Sequence, residues 1–175
     1  AGEAFLLLGL QNLKGLDTLQ AGLALTIGSL GWSFGSWLQA RIRLRRDRII
    51  TAGTCFVALG MVGITVFLTW VGVPLWIGVA AWTLAGCGMG LTVSSTAVAT
   101  MALSGPREQG RNSGALLVAE SIGSSVMTAL TGACYAVLLA EGVPAFGWIF
   151  FMLLAASVLA ITASLRIGPV HDVAG

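Results

Sequence analysis

Two carboxylates stand where a carboxylate is expensive. Glu3, in AGEAFLLLGLQNL, and Glu120, in NSGALLVAESIGSSV, both lie inside apolar runs. Glu3 precedes the end of its run by about nine residues, roughly 13 Å at the rise of a helix, and Glu120 follows the start of its own by roughly 12 Å. Both depths approach the midplane of a hydrocarbon core about 30 Å thick. An acid at that level faces a bundle interior, a partner or a water-filled cavity, because lipid cannot solvate its charge. Low-dielectric surroundings favour the neutral form of a carboxyl group, so such a group can take up and release a proton as its surroundings change. Proton-coupled movement of a solute needs a group of that kind. The structural alternative is a neutral carboxyl held by a neighbouring helix. Ser113, Ser121, Ser124 and Thr128 fall close to the helical face that carries Glu120. Such a face suits a hydrophilic cavity or a helix interface rich in small hydroxyl residues.

The other reactive side chains offer less. Cys55, Cys87 and Cys134 sit singly in apolar runs, with neither the pairing of a disulfide framework nor the spacing of a metal site. The lone histidine, His171, lies in the polar tail. Gly86, Gly88 and Gly90 form a GxGxG run inside an apolar segment, which suits helix packing rather than a nucleotide phosphate. With no nucleophile–base pair and no metal constellation, neither an enzyme nor a bound cofactor is expected. Gln11, Asn12 and Gln39, near segment ends, are expected to be solvated at the membrane interface.

The elements that position these groups follow from composition. Charged residues are 9% of the 175 and apolar residues 57%, against roughly 25% charged in soluble domains. The chain has too little polar surface for water, so an all-α membrane protein is expected. Six apolar segments are legible across residues 1–175, at about 1–13, 18–39, 49–70, 75–103, 112–140 and 145–165. The first is too short to span and lacks the basic start and cleavage site of a signal peptide. It reads as the second half of a spanning helix, and the chain as a fragment. The second carries Gly31 and Gly35 at GxxxG spacing, which admits a close neighbour.

Arg41, Arg43, Arg45, Arg46 and Arg48 crowd one connection with Asp47. Basic loops stay cytoplasmic, and placing this one inside also puts Arg107, Arg111 and Arg166 inside, with Lys14 alone outside. The C-terminus is then cytoplasmic, and a plasma-membrane location is expected. Basic residues gathered in a loop rather than along a face argue against nucleic-acid binding. Trp37, Trp70, Trp76 and Trp148 fall near segment ends, as interfacial anchors do; Trp32 and Trp82 lie deeper, where packing explains them.

The run EAFLLLGLQNLKGLDTLQAGLALTIGSLGWSFGSWLQARI, the basic loop, AGCGMGL and NSGALLVAESIGSSV together resemble the C-terminal six-helix half of the major facilitator superfamily. Within it the likeness is to the drug:proton antiporters with fourteen spans. It covers essentially the whole chain, most specifically Gly15 to Gln39 and Asn112 to Gly123. Two departures stand out. Gln39 occupies the place of the aspartate in the superfamily's loop pattern, whose later glycine is absent, which weakens a switch role for this loop. Relatives also carry a proline in the run that reads Phe5 to Leu8 here.

The resemblance implies a bundle that is one half of a carrier, its first helix truncated, working by alternating access against a missing N-terminal six-helix half. It implies Glu3 and Glu120 as groups for protons or a cationic substrate, with Ser124 beside them and Trp32 as an aromatic wall. Arg41, Asp47 and Arg48 would belong to a cytoplasmic gate. The partners would be the bilayer, protons and a small exported molecule. A membrane scaffold that docks another protein through its glycine faces, with no flux, is the alternative.

Overall fold

The computed structural model describes residues 2–42, 44–70 and 72–168. Arg43 of the basic loop, and His171 with the rest of the tail, lie outside the described residues. Six helices follow in order: α1 Gly2–Lys14, α2 Thr18–Arg41, α3 Arg46–Thr69, α4 Leu75–Ala102, α5 Gln109–Ala140 and α6 Ala145–Ser164. Among the described residues all regular structure is helical, as a bilayer requires of a chain that must satisfy its backbone internally. Asp17 starts α2 with a capping box, accepting from the Leu19 N–H while its own N–H donates to the Gln20 side chain.

Two boundaries differ from the sequence reading. α3 begins at Arg46 rather than near Ile49, so Arg46, Asp47 and Arg48 form its first turn instead of a loop. α5 begins at Gln109 and is 32 residues long. Four helices, α3 to α6, are long and apolar enough to cross a membrane. α1, at 13 residues, is short. α2 has the length but is diluted by Gly28, Ser29, Gly31, Ser33, Gly35 and Ser36. Its place beside α4 accommodates Gly28, Gly31, Gly35 and Ser36, while Ser29 and Ser33 are exposed.

α4 is the axis of the bundle. Along one side it runs parallel to α2, backbone against backbone. A Cβ added at Gly31 would strike the Thr83 carbonyl, one at Gly35 the Cys87 carbonyl and one at Gly90 the Trp32 carbonyl; one at Gly86 would lie 2.6 Å from the Gly28 carbonyl. Ser36 and Ser94 join the same two helices through their hydroxyls at 3.1 Å. Along the other side α4 runs antiparallel to α3, where Gly88 meets Gly53 and Val57, and Gly60 meets Ala81 and Ala85. The GxGxG run thus divides its work: Gly86 and Gly90 face α2, and Gly88 faces α3. Lipid tails are as apolar as leucine, so helices associate in a bilayer through close packing and hydrogen bonds rather than the hydrophobic effect. Backbone contact of this kind is the strongest packing open to them.

Large side chains fill the end of the bundle that carries Lys14, Trp70 and Pro144. Phe67, Ile64, Ile149 and Phe150 are fully enclosed there. Lys14 donates to the Trp70 carbonyl at 3.2 Å and lies 4.5 Å from the centre of the Phe67 ring. Its ammonium meets the C-terminal ends of both α1 and α3, where a cation is favoured. That local role accounts for the one basic residue on this side.

α5 is the loosest member, with only Thr131 buried. It is attached near its ends, where Asn112 donates to Ser104 at 2.7 Å and Tyr135 lies 5.7 Å from Phe5 and 5.5 Å from Phe146.

Replacing Gly31 or Gly35 by Leu should push α2 from α4 and destabilise the bundle by about 1–3 kcal/mol, the range of overpacking substitutions. Gly22→Leu, on the same helix but facing open space, should leave the melting temperature in detergent close to wild type. Equal melting of all three variants would show that the seam does not hold the fold.

Candidate functional site

Midway along the bundle lies a cavity of about 450 Å³, to which all six helices contribute. That volume falls in the range of small-molecule sites, about 300–1,000 Å³. Glu3 enters from the first turn of α1, Trp32 and Ser29 from α2, Met61 from α3, Trp82 and Met89 from α4, Ser124 and Met127 from α5, and Ser157 from α6. The glycine seam explains the opening. Gly28 and Gly86 bring the backbones together and remove side chains from the wall, which leaves Trp82 against Gly28 and Trp32 beside it.

Three sequence candidates, Glu3, Trp32 and Ser124, therefore line one space, but it is open-sided and all three are exposed, where the sequence reading expected an enclosed acid at Glu3 and a packed ring at Trp32. Glu120 does not join them. It lies exposed on α5, one turn before Ser124, where the sequence reading expected an acid turned into the interior. The reason is the looseness of α5, which leans on the bundle through Thr131 and Tyr135 and leaves the stretch around Glu120 uncovered by the described chain. Thr128 and Ser121 are exposed with it. Helical spacing put these residues on nearby faces but could not say which way those faces point.

Sequence reasoning passed over Met61, Met89 and Met127. Unbranched and polarisable, methionine shapes itself to irregular contents. Its presence in an apolar span gives no periodic signal, so only the fold gathers the three. The walls are otherwise aliphatic and aromatic, with Glu3, Ser29, Ser124 and Ser157 as the polar groups. Ser29 donates to the Leu25 carbonyl at 3.1 Å and Ser157 to the Leu154 carbonyl at 2.7 Å, within their own helices. Their oxygens remain available as acceptors. Such a cavity can hold an apolar molecule and offer one ionisable group to a proton or a cation.

The sequence matches the Major Facilitator Superfamily over residues 2–128, which takes in α1 to α4 and most of α5. This chain belongs to the major facilitator superfamily. All the cavity residues except Leu153 and Ser157 fall within the match. No curated protein sequence matches the chain. Membership gives this chain the general function of a membrane transporter, and the helices long enough to span agree with it.

At the opposite end from Lys14, the arginines are sorted by partner. Arg45 grips Asp47 with two bonds, Nε to Oδ1 at 3.1 Å and Nη2 to Oδ2 at 2.9 Å. Arg46 reaches back to α2, donating to the Gln39 side-chain oxygen at 2.6 Å. Gln39 is only 8% exposed, which corrects the expectation of a solvated residue: the Arg46 guanidinium fills the role water would have had. Arg41 lies 4.8 Å from the centre of the Trp37 ring, a cation–π pair away from Asp47. Asp47 and Arg48 line one groove, which Arg41 does not reach. The three residues assigned to one gate are thus distributed over two places.

Arg46→Ala leaves the buried Gln39 amide without this partner and should cost about 1–3 kcal/mol, the usual penalty for an orphaned buried polar group. Arg107→Ala, on an exposed connection, should stay within about 0.5 kcal/mol of wild type. Thermal unfolding of both variants in detergent checks this, and equal stabilities would remove the Arg46–Gln39 bond from the account of the fold.

Proposed function

We propose that this chain is the C-terminal six-helix half of a proton-coupled exporter of small lipophilic, multidrug-type molecules. It would lie in the plasma membrane with its C-terminus in the cytoplasm and work by alternating access against an N-terminal six-helix half. The observation that carries the reading is the meeting of Glu3 with Trp32, Trp82 and three methionines around one apolar cavity. An acid among aromatic and thioether groups suits exchange of a proton for a lipophilic cation: the carboxylate holds the cation, and its protonation releases it.

Glu120 takes a different part. It lies on the exposed face of α5, where a second six-helix unit would cover it, so its carboxyl would work at the boundary between halves. Ser124, one turn further on, lines the cavity itself. Asp47 and Arg48 at the start of α3, and Arg41 at the end of α2, would act as the cytoplasmic gate. The division into halves also explains why α5 buries so little: its free face would complete the translocation path.

In the transporter that carries this segment, reconstituted into vesicles with an imposed pH gradient, Glu3→Gln should abolish gradient-driven flux of a lipophilic cationic dye and weaken dye binding, because the amide lacks the charge that holds the cation. Glu120→Gln should also lose gradient-driven flux. Wild-type flux in Glu3→Gln would separate the cavity from proton coupling and leave only the general transport function.

A further inference from the structure

A second site lies at the arginine-rich end, on the outside of the bundle. There α3 and α6 diverge to leave a groove of about 520 Å³, lined by Arg45, Asp47, Arg48, Thr51, Cys55 and Ser164, among others. We propose that this groove binds the phosphate headgroup of an anionic phospholipid, with one acyl chain running along α3. The inference is independent of what the transporter carries.

The charge arrangement favours an anion. Asp47 is neutralised by its two bonds to Arg45. Arg48 is exposed, and its guanidinium has no partner among the described residues. It also sits in the first turn of α3, where the helix dipole adds partial positive charge. Basic pockets between spanning helices at the cytoplasmic surface are a recurrent setting for anionic headgroups.

Polarity then grades in the direction a lipid would take. Arg48, Thr51, Ala52 and Cys55 follow one face of α3, covering roughly 10 Å from the first to the last. The Thr51 hydroxyl donates to the Asp47 carbonyl at 2.9 Å, and its oxygen is left to accept. Ser164, joined to Thr54 by a 3.4 Å hydroxyl contact, closes the back of the groove where α6 meets α3. Deeper in, the face continues through Ala52 and Cys55, small and apolar enough for a methylene chain. A free phosphate has no use for that continuation; a phospholipid does.

The test titrates the full chain, purified in detergent, with dioctanoyl phosphatidylglycerol, dioctanoyl phosphatidylcholine or inorganic phosphate, counting adducts by native mass spectrometry. Tighter binding of phosphatidylglycerol than of phosphatidylcholine is expected. Arg48→Ala should weaken phosphatidylglycerol by about fivefold, the weight of about one basic residue at an anionic surface, and Arg107→Ala should not. Ala52→Trp, which blocks the apolar continuation from an exposed position, should weaken it again; circular dichroism establishes that the variants remain helical. Equal binding of the two lipids overturns the proposal. So does an equal loss in Arg107→Ala, which would mean diffuse attraction, or displacement of the lipid by comparable inorganic phosphate, which would mean a free-anion site.

Discussion

The bundle depends on carbonyl oxygens of one helix resting against glycines of the next. α4 is pressed between α2 and α3 by Gly28, Gly31, Gly35, Gly86 and Gly90 on one side and Gly53, Gly60 and Gly88 on the other. In water a core of this kind would be weak, because glycine buries little apolar area. In a bilayer apolar area is not scarce, and what distinguishes one neighbour from another is how closely it can approach. The seam also accommodates the composition of α2: Gly28, Gly31, Gly35 and Ser36 face α4, while Ser29 and Ser33 are exposed. Interhelical hydroxyl bonds, such as Ser36 with Ser94, add about 0.6 kcal/mol each, less than the continuous backbone contact around them.

This constraint leads to the cavity. Where glycines remove side chains from the α2–α4 contact, Trp82 packs against Gly28, and the neighbouring Trp32 and Met89 are too large to fit between the backbones. They project beside the seam instead, and the space they enclose with α1, α5 and α6 cannot be filled as tightly as a soluble core. The cavity is a consequence of mixing the smallest and the largest residues along the same two helices. Superfamily membership gives that space a transport setting, with the Glu3 carboxyl among its few polar groups.

Much of this was legible because it is written in spacing. GxxxG at Gly31 and Gly35 announced a close neighbour, and GxGxG in an apolar run announced packing; sequence alone could not assign Gly86 and Gly90 to one partner and Gly88 to another. The arginine cluster marked one end of the bundle. Its internal pairing was not legible, because Arg45, Arg46 and Arg48 are equivalent until the start of α3 is fixed at Arg46. One helical turn then separates them: Arg46 reaches Gln39, Arg45 takes Asp47, and Arg48 is left outward. Glu120 shows the opposite failure. Its distance from the start of α5 was misjudged because the helix begins at Gln109 rather than Asn112, and its direction depends on how that helix rolls against the rest, where Thr131 is its one buried residue among those described.

The two ends of the bundle differ in what must be undone to widen the cavity. On the Lys14 side, separation has to pull Lys14 from the Trp70 carbonyl and the Phe67 ring, and Tyr135 from Phe5 and Phe146. These contacts tie α1 to α3, and α5 to α1 and α6, through large interlocked side chains. On the arginine side, helices meet along the glycine seam, and polar ties among the described residues include Gln39 with Arg46, Thr54 with Ser164, Ser36 with Ser94 and Ser104 with Asn112. The two ends are thus held by different means: interlocked large side chains on the Lys14 side, close backbone contact with scattered polar ties on the other.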